Sequence, residues 1–66
     1  MDIILNGQPK SIADNCTIAQ LLEQMAIPGA GAAVARNDAV VRKALHAETA
    51  LQSGDRIEII RAVGGG

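Results

Sequence analysis

Apolar residues alternate with polar ones at the two ends of the chain and recur at three- and four-residue intervals in between. In "DIILNGQPKSIA" Ile3 and Leu5 share one face and Ile4 takes the other, the period of a strand. Asn6-Gly7 tolerates positive φ at both central positions of a type I′ turn, so a hairpin is predicted there. Pro9 removes a ladder donor from the second strand, which places that strand at a sheet edge, and Lys10 suits an edge that must not pair with strangers. From Ile18 the period changes. Ile18, Leu21, Leu22 and Met25 line one side of a helix whose Gln20, Glu23 and Gln24 face water. Thr17 and Gln20 have capping-box spacing, with Asn15 as the rival N-cap, and Pro28-Gly29 is the predicted stop.

"AAVAR", a turn at Asn37-Asp38 and "AVV" read as a second short strand pair. "RKALHAETALQ" is only partly helical in its spacing and is predicted as loop with a short helical turn. "SGD" marks a turn, and "RIEIIRAV" alternates again with Ile57 and Ile59 on one face. Two hairpins, one helix and a returning strand make an α+β sandwich. With the last strand parallel to the first, the arrangement is a β-grasp: a mixed sheet of four to five strands covered on one face by one main helix. The domain is expected over 1–61, followed by a flexible glycine-rich tail over 62–66.

Composition narrows the picture. Sixty-six residues form one domain at most, burying only ~60% of the unfolded surface. The chain is 48% hydrophobic without a single Phe, Tyr or Trp, so the core is aliphatic. Its candidates are Ile3, Leu5, Ile12, Ile18, Leu21, Leu22, Met25, Ile27, Val34, Leu51, Ile57 and Ile59. No aromatic platform for bases and a net charge of −1 argue against nucleic acid. No apolar run approaches the ~20 residues of a membrane span. The start lacks a signal-peptide pattern, and one cysteine forms no internal disulfide, so the cytoplasm is expected.

Candidate chemistry is sparse. Cys16 before a helix invites a nucleophile reading, but no second catalytic group accompanies it, and a small buried side chain accounts for it. His46, the only histidine, lacks a ligand pattern for a metal. Glu48, Asp55 and Glu58 form no recognisable acid/base pair. What stands out is the end, "RAVGGG". Glycine loses more conformational freedom on folding than any other residue, so a terminus made of it is expected to stay loose. Extended, Ala62 to Gly66 reach roughly 17 Å. Taken alone, the run reads equally as a frayed terminus. Ile4 and Ile60 fall on the face opposite the core and, with the first and last strands adjacent, would form an apolar docking patch. Arg61 and Arg56, near the tail, would add charge complementarity.

The whole chain resembles the ThiS family, ubiquitin-like β-grasp sulfur carriers of thiamine biosynthesis. The resemblance rests on "NG" at Asn6-Gly7, "TIAQLL", "AVARN", "VV" and "GDRIEIIRAVGGG". "L-x-x-G-D" from Leu51 to Asp55, "AVGGG" and the short length are its more specific features. Many relatives carry Gly in place of Asp38 and Pro in place of Arg42, which bears on turn geometry. The resemblance implies a co-substrate with no cofactor of its own rather than an enzyme. A ubiquitin-activating-type (ThiF-like) enzyme would adenylate Gly66. A sulfur donor such as a cysteine desulfurase would convert the adenylate to a thiocarboxylate, and a ThiG-like thiazole synthase would consume it. Val63, Gly64, Gly65 and Gly66 would enter the partner's active site, where a Cβ would crowd the path, and Ile4, Ile60 and Arg61 would dock the body. A carrier for molybdopterin or cysteine formation, and a non-catalytic β-grasp interaction module, are the alternatives.

Overall fold

The computed structural model describes residues 1–28 and 31–61. β1 (Asp2–Leu5) and β2 (Gln8–Ser11) form the first hairpin, with Leu5 opposite Gln8 and Ile4 opposite Pro9. After α1 (Ile18–Gln24) come β3 (Ala32–Arg36) and β4 (Ala39–Val41), paired antiparallel. A single 3₁₀ turn, Lys43–Leu45, precedes β5 (Arg56–Arg61). The strand order is β2-β1-β5-β3-β4, with β5 parallel to β1 and antiparallel to β3. This is the expected β-grasp. Pro9 sits on an outermost strand, where a missing donor costs least.

The helix begins on a fully satisfied end. The Thr17 hydroxyl accepts from the Gln20 amide at 3.1 Å, and the Gln20 side chain accepts from the Thr17 amide at 3.0 Å. The two remaining first-turn donors, Ile18 and Ala19, reach the carbonyls of Thr49 and His46, both at 3.1 Å. Leu51 N–H donates to Cys16 O at 2.8 Å. The long connection before β5 is therefore laced to the start of α1, which explains how an irregular segment stays ordered.

The helix ends earlier than Pro28-Gly29 predicts. Met25 is the C-cap, and Ala26 turns left-handed at φ 56°. Ala26 N–H donates to Glu23 O at 3.0 Å and Ile27 N–H to Leu22 O at 2.9 Å, the bonding of a Schellman motif. Pro28 follows a helix already closed, and Gly29 lies outside the described residues. The chain reverses here because Ile27 is drawn into the core with Leu22, which outweighs the strain of a Cβ in the left-handed region.

α1 buries Ile18, Leu21 and Leu22 against Ile3, Leu5, Val34, Ile57 and Ile59 of the sheet, with Ile12, Ile27 and Leu51 closing the rim. Each fully buried aliphatic side chain contributes ~1.5–3 kcal/mol. One assignment changes: Met25, the C-cap of the helix, is half-buried against the cluster, while Cys16 lies in the core as the small buried side chain expected. The last strand is described to Arg61; its expected continuation through Ala62 and Val63 lies outside the described residues.

Candidate functional site

Strand β5 is the central element and the one that leads to the carboxyl end. Its alternation puts Ile57 and Ile59 into the core and Arg56, Glu58 and Ile60 on the uncovered face. Ile60 is 69% exposed and faces Ala33 of β3. One rung away, Glu58 lies opposite Ala35, which in turn lies opposite Val40, 77% exposed. The exposed apolar surface is thus a diagonal of Ile60, Ala33, Ala35 and Val40. Val40 was legible as the residue of "AVV" alternating against Val41, but the sequence alone does not bring it beside β5.

Ile4 shares that face without joining the diagonal. It is half-buried, with Pro9 and Arg56 as its cross-strand partners, whereas Ile60 lies four residues farther along β5. The expected Ile4–Ile60 patch is therefore split, because the parallel pairing of β1 with β5 ends at Leu5 and Ile57. Arg56 lies at the opposite end of β5 from Arg61. It opens β5, and its guanidinium donates to Asp38 Oδ2 at 2.8 Å, a hydrogen bond and charge that raise its pKa further. Arg61 is exposed at the other end, opposite Ala32. Val63, Gly64, Gly65 and Gly66 lie outside the described residues.

Asparagine carboxamides bind β5 on both sides, one from each hairpin turn. Asn37, at φ 50°, donates its amide to Arg56 O at 2.8 Å and accepts from Arg56 N–H through Oδ1 at 2.9 Å. Asn6, at φ 49°, donates its amide to Ile57 O at 2.8 Å and accepts from Ile59 N–H through Oδ1 at 2.9 Å. Asp55 anchors the start of the strand from below. Its carboxylate, nearly buried, accepts from Arg36 Nε and Gln52 N–H, both at 2.8 Å, and from Asn37 Nδ2 at 3.1 Å. Burial alone would raise its pKa. The Gln52, Asn37 and Arg36 hydrogen bonds and the Arg36 charge together outweigh burial and lower it.

The other candidates are structural in their surroundings. Cys16 is buried, its thiol 3.4 Å from Thr17 O. His46 is buried beneath the 3₁₀ turn with Nε2 at 2.9 Å from Val41 O. A carbonyl only accepts, so Nε2 carries the proton. Among the described residues no three His, Cys, Asp or Glu side chains group as metal ligands, and no helix is long and apolar enough to cross a membrane.

The ThiS family model matches residues 3–66. Over 66 residues the chain is 36% identical to the sulfur carrier protein ThiS of Escherichia coli, covering all of both. It is also 32% identical to a thiazole synthase of Paramagnetospirillum magneticum and 36% identical to one of Magnetococcus marinus. It spans only 20% of the length of each of these two. The crystal structure of the thiamine biosynthesis protein (ThiS) of Geobacter metallireducens matches it over the whole of both chains, with a TM-score of 0.84 at 26% identity. The shared fold, the identity across the whole of a sulfur carrier and a family match that runs through the last glycine lead to one conclusion: the chain belongs to the ThiS family.

Proposed function

We propose that this chain is a protein co-substrate that carries sulfur on Gly66 as a thiocarboxylate for thiazole formation in thiamine biosynthesis. The observation that carries this reading is that the family match extends to residue 66, so the terminal glycines fall within the family pattern. The chemistry follows from a carboxylate being a poor electrophile. An ATP-dependent, ubiquitin-activating-type enzyme joins the Gly66 carboxylate to AMP and releases pyrophosphate. The terminal sulfur of a persulfide, supplied by a cysteine desulfurase or a similar donor, attacks the acyl carbon and expels AMP. A second thiol then cleaves the resulting acyl disulfide, giving the thiocarboxylate and a disulfide, so the electrons balance.

Thiazole synthase is the acceptor this reading favours, because two relatives of that name contain a segment similar to the entire chain. There the thiocarboxylate sulfur adds to an electrophilic carbon. Water then hydrolyses the resulting thioester: its oxygen adds to the Gly66 carbonyl carbon, the bond to sulfur breaks, the sulfur leaves on the acceptor as a thiol, and the Gly66 carboxylate is restored. In this reading residues 1–61 are the body and 62–66 the arm, with Val63 to Gly66 threading the partner's cleft. Ile60 and Arg61 dock beside the arm and Ile4 farther along the same face. The cytoplasm, where ATP is available, is the compartment. The test is mass spectrometry after incubation with ATP, the adenylating enzyme and a sulfur donor: one oxygen exchanged for one sulfur at the carboxyl terminus. An unchanged mass under conditions that charge the Escherichia coli carrier would overturn it.

A further inference from the structure

In a parallel pair, a residue facing the neighbouring strand normally uses its own N–H and C=O to bridge two residues of that neighbour. Ile4 lies opposite Arg56 in this way, and extending that register by two residues beyond the end of the β1–β5 pairing would set Asn6 opposite Glu58. Asn6 makes the first half of that rung with its backbone, donating to Ile57 O at 2.8 Å. For the second half its backbone, at φ 49°, has left the extended range of a strand residue. Its side-chain Oδ1 fills that role and accepts from Ile59 N–H at 2.9 Å, across a sequence separation of 53. Beyond this point, among the described residues, β5 pairs with β3 alone, through Ile60 opposite Ala33 and Arg61 opposite Ala32.

We infer that Asn6 is a positioning residue for the carboxyl-terminal arm. Among the described residues its carboxamide is the last tie on the β1 side of β5, and it fixes the course of the strand that leads to residue 62. Two requirements meet at this position: a residue that accepts positive φ, and an acceptor two bonds beyond Cβ. Asparagine and aspartate satisfy both, whereas glycine satisfies only the first. This function for Asn6 rests on the carrier reading above, whereas the tie itself does not.

The experiment therefore has two readouts on the full chain. Asn6→Gly keeps a favoured turn and removes only the acceptor; Asn6→Asp restores the acceptor, and at about 0.15 M salt its exposed charge is largely screened. By hydrogen exchange, Asn6→Gly is expected to lower protection at the Ile59 amide at least tenfold while Ile4 and Val34 keep theirs, and Asn6→Asp to return it. In ATP–pyrophosphate exchange with the adenylating enzyme, Asn6→Gly is expected to raise KM for the chain by about three- to tenfold with kcat unchanged, since the enzyme must order the strand end itself. Unchanged protection at Ile59, or protection lost evenly over the sheet, overturns the tie. A raised KM that Asn6→Asp does not rescue, or Ile59 released with KM unmoved, overturns the positioning function. Failure of the unmodified chain to react at all would count against the carrier reading instead, leaving the exchange result to decide the tie.

Discussion

Arg36 Nε donates to Asp55 Oδ2 at 2.8 Å, joining the end of β3 to the residue just before β5 through a carboxylate that is 6% exposed. Gln52 N–H and Asn37 Nδ2 complete its coordination, so three donors from two turns and a strand converge on one side chain. Asp55→Asn puts an NH₂ against at least one of them. The expected cost is about 2–4 kcal/mol in urea unfolding at neutral pH. A domain of this size has a total stability of only about 3–10 kcal/mol. A loss below about 0.5 kcal/mol would show that the cluster is merely decorative.

The same carboxylate predicts an acid response. Its folded pKa lies below its unfolded value, so its stabilisation is present above about pH 4 and is lost as pH falls through the folded pKa. The stability gap between the parent chain and Asp55→Asn should be widest at neutral pH and narrow steadily under acid. A gap independent of pH from 7 to 3 would contradict the assignment.

Ala26 occupies a position that favours glycine. It is exposed and stands at φ 56° where the helix closes. Ala26→Gly is expected to raise stability by about 0.5–1 kcal/mol, offset in part by the greater freedom of glycine in the unfolded chain. Thermal unfolding with Ile27→Ala beside it is the check. That second change empties the core contact that draws the chain round and should cost about 2–5 kcal/mol.

The uncovered face offers a separation of docking from folding. Ile60→Thr and Val40→Thr keep a β-branched side chain on the strand and shed apolar surface. Each should leave stability within about 0.5 kcal/mol while lowering kcat/KM with the adenylating enzyme about three- to tenfold. If Ile60→Thr reacts like the parent, the diagonal is ordinary surface.

At the carboxyl end, deleting Gly65-Gly66 or appending one alanine after Gly66 should abolish sulfur loading and leave the unfolding curve where it was. The adenylated carbonyl must be Gly66's own, so a single added residue moves the reactive carboxylate onto a Cβ-bearing residue. Loading of the extended chain at the parent rate would be incompatible with the proposal.

Much of the fold was legible because its signals are local. The period change at Ile18, the capping spacing of Thr17 and Gln20 and the Asn-Gly turn each arise from a few neighbouring residues, and Pro9 marked an edge. The helix end was misread because Pro28-Gly29 is the stronger local stop signal, whereas burial of Ile27 decided the reversal at Ala26. Of the candidate site, the terminal glycines and the exposed alternation of Ile60 could be read directly.

What the chain determined by itself is its element order, its aliphatic core and its family, since these follow from spacing and residue type along one dimension. Only the tertiary structure decided register, and register decides neighbours. It set Ile60 beside Ala33 instead of Ile4, sent Arg56 to Asp38 at the far end of β5, and turned two turn asparagines into surrogate backbone on either side of that strand. Pairing across 53 residues leaves no periodic trace, because it is selected by the packing of the whole sheet against α1.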